Sequence, residues 1–191
     1  AVKTRGRFNV FVDGVYSFSL DEMQLLESGI KRGQQVSDQA LNSLKEESLF
    51  GKAYARMLEY IFRRLRSEKE LRDYAWRKQW PPELTEQLLA RLRQKGYVDD
   101  AKFAAAWVRS RQATKPTSRR KLQLELKQKG VDGSIIQVAL EDESHDEYAE
   151  LRRIVQKRHK RYDDEQKFIA YLARQGFSFD AIKTVLSEAE E

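Results

Sequence analysis

The period of the apolar positions changes near residue 50. Before that point, the stretch "RFNVFVDGVYSFSL" alternates apolar and polar residues around Asp13-Gly14, which predicts a β-hairpin. Asp-Gly first suggests a two-residue turn, but the alternation favours a three-residue loop over residues 12–14 that pairs Phe8 with Phe18. Because an isolated hairpin is only marginally stable in water, its apolar face is expected to cover a neighbouring element.

Two helix starts follow the hairpin. Ser19 and Glu22 have the spacing of a capping box for a helix that runs through Ser28 and ends at Gly29. Ser37 is a second candidate N-cap and precedes another apolar pattern with helical spacing. The first fifty residues therefore predict a hairpin with a short helical extension.

From about residue 51 onward, the helical pattern repeats. Three stretches that begin at Ser67, Ser118 and Asp164 align without a gap, and their apolar positions coincide. Each stretch reads as a helix, a tight break and a second helix. Each is preceded by a further helix, at about 51–64, 100–113 and 146–161. A three-helix unit repeated at a period of about 50 residues is typical of helical arrays.

The breaks inside the repeats have a local cause. In the second and third repeats, Gly130 and Gly176 occupy the position where a helix commonly ends in the left-handed conformation. In the first repeat, Gln79 stands at this position, and the following Pro81 and Pro82 stop the helix instead.

These elements predict a mainly α fold with three tandem three-helix units that form an elongated, curved array. A small N-terminal β-hairpin and helix extension precedes the array. The predicted boundaries are 1–50 for the extension, 51–98 for unit 1, 99–143 for unit 2 and 144–191 for unit 3.

Composition narrows the functional classes. The chain of 191 residues is 35% charged, with a formal net charge of +6, which favours acidic partners and nucleic acid above all. It has no cysteine, so disulfides, thiolate metal sites and cysteine nucleophiles are excluded. No apolar run approaches the roughly 20 residues of a membrane span, and no signal sequence is recognisable, so we expect a cytoplasmic protein without membrane contact.

Enzyme signatures are absent from the sequence. The two histidines, His145 and His159, lie in charged stretches without a ligand at helical spacing and are interpreted as surface residues. The acid pairs at Asp99-Asp100 and Asp163-Asp164 stand at helix starts, where capping explains them better than catalysis does. We therefore predict no catalytic residue, no metal site and no cofactor.

The helix over 100–113 combines aromatic and basic residues. Phe103, Ala104, Trp107 and Val108 share one helical face, which favours a core role, with a stacking platform for bases as the alternative.

Two acid-poor basic runs in consecutive repeats are the candidate binding surface. A charge run is usually a solvated face, but repeats stacked in series can join two such runs into one stripe. We predict that this stripe binds a polyanion or an acidic protein through Arg109, Arg111, Lys115, Arg119, Arg120, Lys121, Arg152, Arg153, Lys157, Arg158 and Arg161.

Residues from about 53 to 187 resemble the RecX family, the bacterial regulators of RecA recombinase. The resemblance rests on four stretches in order: "RSEKELRDYAWRKQW", "LRQKGYVDDAKFAAAWVRSR", "RRKLQLELKQKGV" and "IAYLARQGFSFDAIKTVL". The hairpin-and-helix start resembles the N-terminal extension of some members. Gln79 departs from the family's pattern, in which a glycine is expected.

This resemblance implies a non-enzymatic regulator in DNA repair and the SOS response. Such a regulator binds the RecA filament on single-stranded DNA, and it inhibits filament growth, DNA recombination and the coprotease activity of RecA. The implied partners are RecA and single-stranded DNA, and possible contact with double-stranded DNA stays open. The protein is expected to act as a monomer.

Two other functions stay open at this point. The chain could be a helical array that binds nucleic acid directly, or a protein-interaction scaffold that contacts no nucleic acid. A salt series separates DNA binding from the scaffold because phosphate contacts weaken steeply as salt rises.

Overall fold

A computed structural model of the chain describes residues 2–4, 6–115, 117–142 and 146–190. In this part of the chain, three strands precede ten α-helices, so the predicted mainly α class is confirmed. The elements are β1 (Val2–Thr4), β2 (Arg7–Val12), β3 (Val15–Asp21), α1 (Glu22–Ser28), α2 (Asp38–Phe62), α3 (Glu68–Arg77), α4 (Pro82–Gln94), α5 (Asp100–Thr114), α6 (Arg119–Gln128), α7 (Gly133–Asp142), α8 (Glu147–Arg158), a 3-10 turn (His159–Arg161), α9 (Glu165–Arg174) and α10 (Phe179–Glu190). None of the described helices combines the length and apolar character that a membrane crossing requires.

The helices form the three successive triplets α2–α4, α5–α7 and α8–α10, as the repeat pattern predicted. The chain divides into two compact units, which are described separately. The first contains residues 1–65 and 79–94, and the second contains residues 66–78 and 95–191.

The sheet of the first unit corrects the predicted hairpin register. β2 and β3 are joined by a two-residue turn, in which Asp13 and Gly14 have φ values of 49° and 83°. Phe18 pairs with Val10 rather than with Phe8, because a β-bulge shifts the register just beyond the turn. The bulge also explains why the alternation of the sequence misled the prediction: it changes which side chains share a face.

A third strand was not predicted. β1 pairs antiparallel with β2, with Val2 opposite Asn9, and the sheet order is β1-β2-β3. The three residues of β1 are too few for alternation to show in the sequence.

The first helix starts two residues later than predicted. Asp21, rather than Ser19, is the N-cap, and Gln24 completes the capping box in place of Glu22. The predicted end at Gly29 is confirmed by its left-handed φ of 62°.

α2 runs without a break from Asp38 to Phe62, although the sequence predicted a separate helix from about residue 51. The side chain of Gln24 packs against this helix: it is buried and donates to Glu47 O at 2.5 Å. A Cβ at Gly51 would lie within 2.8 Å of three atoms of the Gln24 side chain. Gly51 thus permits close contact between α1 and α2 and does not end a helix.

The second unit contains two apolar cores, one for each of the later triplets. α5, α6 and α7 bury Phe103, Leu122 and Leu126 among other apolar residues. α8, α9 and α10 bury Leu151 and Phe168 in the same way. The predicted core role of the apolar face of α5 is confirmed for Phe103, Ala104 and Val108, which are 0 to 3% exposed.

The middle helices of successive triplets meet end to end. Ser67, the N-cap of α3, donates its hydroxyl to Lys129 O at the end of α6 at 2.7 Å. Glu70 forms an ion pair with Lys129 Nζ at 2.7 Å. The last carbonyls of a helix have no hydrogen-bond partner within the helix. Here the Ser67 hydroxyl at the start of α3 is the donor to one of them. We call this contact, centred on Ser67 and Lys129-Gly130, the first junction.

The second junction repeats this contact one triplet later. The N-H of Ser118, the N-cap of α6, donates to Gln175 O at 3.2 Å. Thr117 Oγ1 donates to the same carbonyl at 3.0 Å, and Lys121 Nζ donates to Gln175 Oε1 at 3.0 Å. Lys121 and Gln175 align with Glu70 and Lys129, so the same pair of positions interacts with the donor and the acceptor exchanged.

The junctions explain the glycines that end α6 and α9. A Cβ at Gly130 would lie 2.5 Å from Lys69 Cβ, and a Cβ at Gly176 would collide with the Ser118 hydroxyl. Gln79 stands at the equivalent position after α3 with a φ of 55°, and no aligned serine caps a helix against it in the described residues.

Replacing Gly176 with Ala is expected to destabilise the protein more than replacing Gly96. Both glycines have positive φ, so each substitution costs about 1–2 kcal/mol of backbone strain. Only Gly176 faces Ser118, and overpacking there adds roughly 1–3 kcal/mol, whereas a Cβ at Gly96 meets nothing within 4 Å. Urea unfolding followed by circular dichroism measures the difference, and equal losses would contradict the role of the second junction.

Candidate functional site

The predicted basic residues are not one uniform surface. They separate into residues that hold the second unit together, residues in exposed ion pairs and residues whose side chains face solvent.

Arg111, Arg153 and Lys121 make hydrogen bonds that hold the second unit together. Arg111 Nε lies 2.8 Å from Glu125 Oε2, and its guanidinium lies 4.7 Å from the centre of the Trp107 ring. Arg153 Nη1 donates to Gln112 O at 2.8 Å and so ties α8 to the end of α5.

Lys121 is the third, through the second junction. Its ammonium group donates to Arg174 O at 2.9 Å as well as to Gln175 Oε1. Burial lowers the pKa of Lys121, and the nearby charges of Lys115 and Arg111 lower it further. The sequence analysis predicted Lys121 as a binding residue, and the structure shows that its ammonium group makes hydrogen bonds within the protein.

Two further predicted residues form exposed ion pairs. Arg119 lies 3.9 Å from Glu141, and Arg152 lies 2.8 Å from Glu188. The hydrogen bond between the latter two raises the pKa of Arg152 and lowers the pKa of Glu188. Exposed pairs contribute little to stability, but they reduce the positive charge that these two arginines present.

The six remaining predicted residues are exposed, and we call them the exposed basic set. They are Arg109, Lys115, Arg120, Lys157, Arg158 and Arg161. Arg158 also lies over the Tyr171 ring, 5.4 Å from its centre.

The hydrogen bond from Arg153 to Gln112 brings the two halves of the exposed basic set toward one another. Lys157 follows Arg153 by one turn of α8, and Lys115 follows Gln112 by three residues. This hydrogen bond places the last turn of α5 beside the middle of α8.

Glu150 is a half-buried acid on α8. Its Oε2 atom is buried without a hydrogen-bond partner in the described residues. Burial raises the pKa of Glu150, and the charge of Arg153 partly opposes this rise.

Each of the two acid pairs contains the N-cap of a helix. Asp99 accepts backbone hydrogen bonds from Ala101 and Lys102, the latter of which chiefly lowers its pKa, and Asp164 is the N-cap of α9. Asp100 instead accepts from the backbone N-H of Glu68 at 2.8 Å, and burial raises the pKa of Asp100.

The half-exposed ring of His159 packs against Phe168, with 5.3 Å between ring centres, whereas His145 lies outside the described residues. Within the described ranges, no cluster of three or more His, Asp or Glu side chains could hold a metal ion.

Trp107 is half-buried rather than fully buried. Its indole N-H donates to Glu125 Oε2 at 2.9 Å, and Lys129 Nζ lies 5.1 Å from its ring centre. The ring thus connects α5 with the first junction, which favours the structural reading over a free stacking platform.

Sequence reasoning missed Trp76. This side chain on α3 is 80% exposed. The alignment of the repeats contained the signal, because Trp76 aligns with Lys127 and Ala173, which are exposed as well.

Three family models match the chain in consecutive segments. They are described as the RecX first three-helix domain over residues 53–92, the second over 99–140 and the third over 145–186. A curated relative from Oceanobacillus iheyensis is 32% identical over 98% of this chain and 74% of its own length. The chain belongs to the RecX family.

Other RecX proteins show the same relationship. A relative from Bacillus subtilis is 31% identical over 98% of this chain and 74% of its own length, and both curated relatives are named "Regulatory protein RecX". A structure titled "Crystal structure of regulatory protein RecX" matches with a TM-score of 0.77 at 26% identity, covering 98% of this chain and 96% of that one. The RecX structure from Lactobacillus salivarius, at 24% identity and a TM-score of 0.63, covers 74% of this chain and 96% of its own and supports the fold.

The RecX domain matches divide the exposed basic set between two domains. Arg109, Lys115 and Arg120 lie in the second domain, and the other three residues lie in the third.

Lys121→Met and Arg120→Met are expected to differ in stability although they are neighbours. Lys121→Met removes the ammonium donor of the second junction and is expected to cost about 1–2 kcal/mol. Arg120→Met changes an exposed side chain and is expected to stay within about 0.5 kcal/mol of the unmodified protein. Thermal and urea unfolding test this, and equal stability of the two variants would contradict the structural role of Lys121.

Proposed function

We propose that this RecX-family chain is a non-enzymatic regulator that binds the RecA filament on single-stranded DNA and inhibits its growth. Inhibition of filament growth restrains recombination and the coprotease activity of RecA. The proposal includes a monomeric, cytoplasmic protein that acts without a cofactor.

The observation that carries the proposal is the placement of the exposed basic set on two adjacent repeats. A filament presents the same acidic groups at regular intervals, on DNA phosphates and on the surfaces of successive protomers. A protein with cations on successive repeats can engage several such groups at once, so that weak contacts add up through multivalency. The two junctions support this reading because they hold the middle helices in a repeated arrangement.

The structure shows which charged residues can be reversed without the loss of a contact within the protein. Reversal of Lys121 disturbs the second junction, and reversal of Glu188 breaks its ion pair with Arg152. Arg120, Lys157 and Arg161 are exposed members of the basic set for which the structure gives no internal salt bridge in the described residues. A matched control set, Lys31, Arg32 and Lys45, is exposed and lies outside the three matched RecX domains.

Reversal of Arg120, Lys157 and Arg161 to Glu is expected to weaken inhibition of the RecA filament. The readout is the single-stranded-DNA-dependent ATPase of RecA, titrated with the unmodified protein or the variant. The concentration needed for half-inhibition is expected to rise about tenfold or more, because several charge contacts are lost together.

The control variant, with Lys31, Arg32 and Lys45 reversed to Glu, carries the same change in net charge. It is expected to inhibit nearly as well as the unmodified protein. An equal loss in both variants would show that net charge alone is sensed, and no loss in the first variant would place the contact elsewhere. A salt series on the complex distinguishes a filament regulator from a scaffold that binds neither DNA nor filament at low salt.

A further inference from the structure

We infer that Trp76 is a stacking site for an unpaired base of single-stranded nucleic acid. The inference rests on the proposed function and adds to it a specific contact with the DNA strand, at a residue outside the exposed basic set. It concerns the first RecX domain, in which no binding residue was predicted.

The Trp76 ring is exposed to solvent. Trp76 is 80% exposed, and in the described part of the chain its side chain has no ring contact, hydrogen bond or ion pair. Leu71 and Ala75 of the same helix are buried, so α3 packs through another face and does not need Trp76 for its own core. A large aromatic side chain with this exposure is available for stacking.

Two positively charged residues lie next to Trp76 in the sequence. Arg77 and Lys78 follow Trp76 directly and are exposed, and no acid lies between Tyr74 and Lys78. Each of the three acids of α3 is paired with a cation: Glu68 with Arg72 and Asp73 with Lys69 at 2.8 Å, and Glu70 with Lys129 at 2.7 Å. The surroundings of Trp76 are therefore suited to phosphate groups.

The residues next to Trp76 favour a nucleic-acid base over a protein surface as its partner. Protein hot spots are surrounded by apolar contacts and are depleted in charge at their centre. Trp76 is the only large hydrophobic side chain of α3 that is exposed in the structure, and cations adjoin it. An aromatic ring beside cations matches sites for single strands, where bases stack on the ring and phosphates approach the charges.

The test measures the affinity for a labelled single-stranded oligonucleotide by fluorescence anisotropy. Trp76→Leu keeps an apolar side chain but removes the aromatic face, and its affinity is expected to fall about five- to hundredfold. Trp76→Phe keeps a smaller aromatic face and is expected to recover most of that loss. Leu124→Ala is the control, because Leu124 is an exposed apolar residue of α6, and it is expected to bind as the unmodified protein does.

An oligonucleotide with abasic sites provides the second arm. The unmodified protein and Trp76→Leu are expected to bind it equally, because no base is present to stack. Equal losses in the Leu and Phe variants would overturn the inference, as would unchanged binding of Trp76→Leu to the intact oligonucleotide. Reduced inhibition of RecA by Trp76→Leu with unchanged oligonucleotide affinity would assign Trp76 to a protein contact and would also overturn it.

The two proposals can fail separately. If the charge reversals weaken RecA inhibition while Trp76→Leu binds the oligonucleotide normally, the inference about Trp76 fails and the proposed function stands. If the unmodified protein affects neither the filament nor the oligonucleotide, the proposed function fails and the inference fails with it.

Discussion

The end-to-end contact between middle helices is the interaction on which the second unit depends. A helix ends with carbonyl groups that lack partners, and a helix begins with N-H groups and a capping side chain. The two junctions bring these ends together, and the opposite partial charges of the helix ends favour the contact. Ser67 and Ser118 are fully buried there, so their polar groups must be satisfied within the junctions.

This contact restricts the sequence in a way that periodicity alone does not reveal. Gly130 and Gly176 are needed for the left-handed turn and also for the space that the neighbouring helix occupies. The exchange of donor and acceptor between the two junctions shows that the geometry is kept with different side chains: Glu70 accepts from Lys129, and Gln175 accepts from Lys121.

Local signals in the sequence predicted the helices, the capping roles of Asp99 and Asp164, and the three-helix repeat. Contacts between distant residues account for the errors. The hairpin register depends on a bulge that the alternation does not show, and Gly51 accommodates the Gln24 side chain inside α2 instead of marking a helix start. For the candidate site, the sequence shows that Lys121 is charged but not that its ammonium group donates hydrogen bonds inside the protein. The binding role of the basic residues stays a prediction. The predicted boundaries of the three-helix units remain a prediction.

If the proposed function holds, the RecA filament covers the exposed basic set rather than the N-terminal extension. Labelling of lysine side chains with an amine-reactive reagent, in the presence and absence of the RecA filament, tests this claim directly. Lys115 and Lys157 are exposed in the second and third RecX domains, and Lys31 and Lys45 are exposed outside them. Protection of Lys115 and Lys157 is expected, with unchanged labelling of Lys31 and Lys45. Protection of Lys31 and Lys45 alone, with full labelling of the other two, would contradict it.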